Sequence, residues 1–121
     1  MRLTISRIAL LLPLLLAGCE SIVRDAPPPE TLAELDRALQ RDPDDPELSI
    51  RIGELELERG HTADAYVAFR RAAGLAPDDV RAVRGLALAA DALGFDDEAR
   101  AAYARWEALE ARASGSGSDP D

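Results

Sequence analysis

A chain of 121 residues with a formal net charge of −9 has room for one domain and a modest core. Its acidity repels phosphate backbones, which argues against nucleic acid as a partner. All 14 basic residues are arginine and aromatic residues are few. Ala, Leu and Arg are strong helix formers, so this composition points to helices rather than strands. The single cysteine can form no disulfide within the chain.

The N-terminus reads as an address. Arg2 and Arg7 supply a positive flank, and Ile8 to Ala17 is an apolar run about half the roughly twenty residues that a membrane span requires. That combination is an export signal. The tetrapeptide that closes it, Leu16-Ala17-Gly18-Cys19, resembles the lipobox of bacterial lipoproteins. The resemblance implies removal of residues 1–18 as a signal peptide. It also implies a diacylglyceryl group on the Cys19 thiol and an acyl chain such as palmitate on the new amine; no other cofactor is expected. At about 0.8 kcal/mol per buried methylene, two or three such chains hold a protein to a membrane durably. In the Gram-negative sorting rule an Asp after the lipidated Cys retains the protein in the inner membrane. Here that residue is Glu20, so the expected location is the outer membrane, facing the periplasm. Loss of Arg2 and Arg7 leaves 12 of the 14 basic residues against 23 acidic ones, a formal charge of −11.

Residues 19–29 carry the lipidation site and then the triplet Pro27-Pro28-Pro29, which reads as an extended tether. Residues 113–121, rich in Ser, Gly and Asp, read as a disordered tail. The folded part is then 30–112, with five predicted helices over 30–41, 46–59, 62–75, 79–93 and 96–112. Asp45 before Pro46 places a capping carboxylate ahead of a proline at the first helical position, and Asp79 recurs one repeat later. Gly60 and Gly94 stand where helices stop, with Thr62 and Asp96 after them as candidate N-caps.

A period of 34 residues runs through this region. It aligns Ile52 with Leu86, Gly60 with Gly94, Ala65 with Ala99 and Phe69 with Tyr103. Leu35 and Ala38, ahead of Asp42-Pro43-Asp44-Asp45, align with Phe69 and Ala72 ahead of Ala76-Pro77-Asp78-Asp79, so the first helix is a half-unit. The pattern Ile52-Gly53, Ala65, Phe69, Ala72 and Pro77 resembles the tetratricopeptide repeat. That implies an all-α fold, a short tetratricopeptide-type solenoid of about five antiparallel helices in two and a half repeats. Four positions depart from the family: Ser49 stands at its Trp and Glu56 at its Tyr, and in the last unit Ala87 stands at its Gly and Trp106 at a small site.

Catalysis needs a tuned nucleophile, base or metal, and none is visible, so the chain reads as no enzyme. His61 is the only histidine and reads as a solvated turn residue; no metal site can be drawn from it without a free cysteine. Asp42, Asp44, Asp45, Asp78 and Asp79 lack the rest of a calcium loop and read as helix caps.

Surfaces carry what functional signal there is. The first helix of each pair lines a groove in the tetratricopeptide family, and by register the resemblance points at Glu47, Ile50, Glu54 and Leu57, then Arg81, Arg84 and Leu88. Ile50 and Leu57 lie off the Leu48/Ile52/Leu55 stripe expected to pack inward. Arg81 and Arg84 are spaced to clamp a carboxylate; the equal alternative is that Ile50 and Leu57 pack under the first half-repeat and the arginines pair with nearby acids. On the last helix Tyr103, Trp106 and Leu109 form a candidate terminal face, open to a partner or a second copy unless Trp106 folds inward over Ala102. The expected function is a lipid-anchored adaptor or assembly factor for an envelope machine, with a protein partner; tetratricopeptide pilotins and pilus lipoproteins are similar. The alternative is a binding protein or regulator that acts on peptidoglycan or cell-wall synthesis, for instance by holding a peptidoglycan fragment at Arg81 and Arg84.

Overall fold

The computed structural model describes residues 31–115. The expected signal peptide, Cys19 with the expected tether, and residues 116–121 of the expected tail lie outside them. Five α-helices and no strand occur among the described residues: α1 (Leu32–Arg41), α2 (Pro46–Glu58), α3 (Thr62–Leu75), α4 (Val80–Ala92) and α5 (Asp96–Gly115). Short turns make consecutive helices antiparallel neighbours. α2 packs on α3 and α4 on α5 as hairpins; α3 also packs on α4, α1 lies against α2, and α2 touches α4.

Each boundary has a local cause. Thr31 caps α1 in a reciprocal box with Glu34, whose backbone N–H donates to the Thr31 hydroxyl while its carboxylate accepts from the Thr31 backbone. Asp45 and Asp79 cap α2 and α4, each accepting from the N–H two residues on at 2.9 Å. Gly60 and Gly94 end the first helix of each pair with φ of 78° and 76°, the left-handed region that glycine enters without penalty.

The candidate caps Thr62 and Asp96 are corrected by one residue. With the His61 N–H turned back onto the Glu56 carbonyl at 2.8 Å, His61 is already the N-cap of α3, though its side chain makes no capping bond. Asp96 is likewise inside α5. The last helix also runs through Gly115, three residues past its expected end. Nothing at Glu110-Ala111-Arg112-Ala113 breaks it, whereas one period earlier Ala76-Pro77-Asp78-Asp79 forms a turn.

The 34-residue period recurs in the hydrogen bonds. Arg71 donates to the Pro43 carbonyl at 2.7 Å and Arg105 to the Pro77 carbonyl at 3.3 Å. Each second helix thereby ties down the loop that precedes its own pair. The main core gathers Ile50, Ala65, Phe69, Ala72, Ala82, Val83, Leu86, Ala102 and Leu109. A smaller cluster joins Leu35 of α1 to Ile52 and Ala68, flanked by Leu32, Leu39, Leu48 and Leu55. Phe69, 2% exposed, sits between two helices that lack a side chain where it lies: a Cβ on Gly53 would stand 2.8 Å from its ring, and one on Gly85 would overlap it.

Candidate protein-binding surface

The first helices of the two pairs, α2 and α4, start side by side. Arg81 bridges them in a two-pronged ion pair with Glu47, at 3.0 Å and 2.5 Å, across one full repeat, and it also reaches Asp79 at 3.4 Å. The bonds from Arg81 hold the Glu47 carboxyl below the usual carboxylate range, and the same bonds raise the Arg81 pKa. Arg81 is thus occupied within the chain and is no free half of an arginine clamp.

Ile50 is corrected outright: it is fully buried in the main core and lines no groove. α2 is covered on several sides at once, by α1, α3 and α4, and Ile50 falls in the arc covered by the last two. Leu48 and Leu55, expected to face inward, are only partly buried against α1. Leu57 is half-buried against the main core, and Glu54 pairs with Arg51 at 2.9 Å. What remains open from the expected groove is on α4. Arg84 is exposed and makes no ion pair or hydrogen bond of its side chain among the described residues, and Leu88, one turn on, is 45% exposed.

The expected terminal face is largely consumed by the chain's own packing. Leu109 is 9% exposed, and Tyr103 and Trp106 are half-buried against the core. Their rings stack with centroids 6.1 Å apart. The Trp106 indole donates to Glu110 at 2.7 Å, and the Tyr103 hydroxyl reaches Asp91 at 3.4 Å. A Trp at a site normally small therefore lies over its neighbours instead of projecting outward.

Two features escaped sequence reasoning. The Tyr66 hydroxyl donates to Glu98 at 2.5 Å, the Tyr66 ring meets Phe95 edge-on at 5.2 Å, and the Arg70 guanidinium stands 6.0 Å from its centroid. This links α3 to the start of α5 and leaves Phe95 46% exposed. The other is the Glu56, His61 and Asp64 group at the α2–α3 turn, whose spacing fits no single helix face.

Among solved structures the chain is similar to several of MamA. A crystal structure of MamA is 20% identical with a TM-score of 0.64, over 69% of this chain and 49% of that one. A structure described as MamA MSR-1 C2 is 22% identical with a TM-score of 0.60, over 68% and 47%. Another crystal structure of MamA protein is 19% identical with a TM-score of 0.61, over 74% and 49%. The fold is a tetratricopeptide-type helical solenoid. The chain spans about half the length of each of these structures. No protein-family model matches the sequence, and no curated protein is significantly similar to it.

Proposed function

We propose that this chain is a lipid-anchored adaptor or assembly factor of the bacterial envelope, serving a machine such as a pilus or secretion system and acting by binding rather than catalysis. The observation that carries the binding role is the open face of α4. Arg84 offers a guanidinium with no ion pair or side-chain hydrogen bond among the described residues, and exposed Leu88 lies one turn away. Such a pair suits a short protein segment that carries a carboxylate beside an apolar side chain. The anchor rests on the lipobox at Cys19, and Glu20 favours the periplasmic face of the outer membrane. Binding of peptidoglycan by two arginines is weakened, because Arg81 is held by Glu47 and Asp79.

The test uses the full chain. Labelled palmitate should enter the wild type and not Cys19→Ser, and the variant should leave the membrane fraction. Pull-down from detergent-solubilised envelope should enrich an envelope assembly component, and Arg84→Glu with Leu88→Ser should release it while helical content is kept. An equal yield from that variant would move the binding surface elsewhere. Retention on peptidoglycan with no protein enriched would overturn the adaptor reading.

A further inference from the structure

The turn between α2 and α3 brings three ligating side chains together. Glu56 lies in the last turn of α2, His61 follows Gly60, and Asp64 stands in the first turn of α3. The His61 Nδ1 is 2.8 Å from a Glu56 carboxylate oxygen, and one ligand atom from each of the three lies within 4.8 Å of the others. The Glu56 side chain is only 8% exposed, and His61 is its one ion-pairing partner among the described residues. The Asp64 carboxylate is exposed and has no ion pair or side-chain hydrogen bond among the described residues. Two carboxylates thus converge beside one imidazole, with no guanidinium in an ion pair with either among the described residues. A buried carboxylate needs a paired cation or a hydrogen-bond donor, and here the His61 imidazole supplies the one such contact among them.

The second repeat shows that the fold does not require these residues. Its turn has the same glycine conformation. It also has the same backbone bonds, Phe95 N–H to the Ala90 carbonyl at 2.9 Å and Ala99 N–H to the Phe95 carbonyl at 2.8 Å. Yet Ala90, Phe95 and Glu98 stand where the first turn has Glu56, His61 and Asp64. Identical backbone geometry is reached with an alanine and a phenylalanine, so the polar set at the first turn needs a reason other than folding.

We propose that Glu56, His61 and Asp64 bind a divalent first-row metal ion, with Zn²⁺ the best match. One imidazole nitrogen and two carboxylate oxygens are borderline-to-hard ligands that this ion accepts. In a tetrahedral zinc site, ligand atoms about 2.0–2.1 Å from the metal stand about 3.4 Å apart, and the separations here, from 2.8 Å to within 4.8 Å, bracket that edge. Coordination through Nδ1 replaces its hydrogen bond to Glu56 and leaves a fourth position for water on the exposed side.

The test titrates the full chain in detergent with Zn²⁺ by calorimetry, and with Co²⁺ by its ligand-field absorption. The wild type should take up one equivalent and melt at a higher temperature when loaded. The variant Glu56→Ala, His61→Phe, Asp64→Glu, which writes the second turn into the first, should keep its helical content and lose that equivalent, the Co²⁺ bands and the ion-dependent rise in melting temperature. No uptake by the wild type overturns the proposal. So does uptake that survives in the triple variant, since the ion would then sit elsewhere, at the acidic turns or Cys19. His61→Ala alone should abolish the Co²⁺ bands, and bands unchanged in that variant would also overturn it.

Discussion

The Phe69 ring occupies the space that a side chain on Gly85 would need. One aromatic residue on α3 therefore fixes a glycine on α4, although the two share no sequence motif. Gly85→Ala should gain about 1 kcal/mol from helix propensity and lose about 1–3 kcal/mol from overpacking, for a net destabilisation measurable by urea unfolding. Phe69→Leu in the same chain should recover part of that loss, and a purely additive double-mutant cycle would show that the two sites do not touch.

Ser49 is 1% exposed, and its hydroxyl has no hydrogen-bond partner among the described residues. An unsatisfied buried polar group costs about 1–3 kcal/mol, and alanine is also the better helix former. Ser49→Ala should therefore raise the melting temperature, with a gain of about 1 kcal/mol. A lower melting temperature would mean that the hydroxyl is satisfied in solution.

The Glu47–Arg81 bridge predicts a pH dependence. Bonds from Arg81 hold the folded-state pKa of Glu47 below its ordinary value of 4.5. A depressed acid stabilises the fold above its unfolded pKa, and that contribution is lost as pH falls through the folded value. Both side chains are about half exposed, so the gain is screened to a few tenths up to about 1 kcal/mol. Glu47→Gln should remove the acid limb attributable to this pair. If high salt leaves the difference between wild type and Glu47→Gln unchanged, the pair contributes nothing electrostatic.

At the alkaline end the two tyrosines give a second readout. The hydrogen bond to Glu98 raises the Tyr66 pKa above 10.0, and burial first, then the Asp91 charge, raises that of Tyr103. A raised folded value means stability that is complete below the unfolded pKa and lost as pH rises through the folded one. Phenolate absorbance should show both residues titrating above the free-tyrosine value. Tyr66→Phe should remove the component that Glu98→Gln shifts downward, and if Glu98→Gln shifts neither residue, the bond is absent in solution.

The helices were readable because their punctuation is chemical and local: Asp45 before Pro46, Asp79, Gly60 and Gly94 act within a few residues of themselves. The repeat was readable because the same positions recur 34 residues apart in register. The orientation of α2 was not, since a stripe argument assumes one buried face. This helix buries Ser49, Ile50, Ile52, Gly53 and Glu56 against more than one neighbour. Two of those residues are polar, which hid the wide arc from a hydropathy pattern. Ile50 therefore looks like a groove residue in the sequence and packs into the core in the fold. Arg81 looks free in the sequence because Glu47 lies a whole repeat away, a separation that only the stacking of pairs closes. The Glu56, His61 and Asp64 group needed the left-handed turn at Gly60 before its spacing meant anything.

The absence of a turn at residues 110–113 has a mechanical consequence. α5 continues past the last side chain it buries, Leu109, so that Glu110 through Gly115 are all exposed. At about 1.5 Å per residue this is a spur of roughly 9 Å, held by its own backbone and by local bonds such as that from the Ser114 hydroxyl to the Glu110 carbonyl at 2.9 Å. Its amide protons should exchange far sooner than those of α4, because it can unwind without disturbing the core. A reporter or affinity handle joined there would ride on a helix that the rest of the protein does not need.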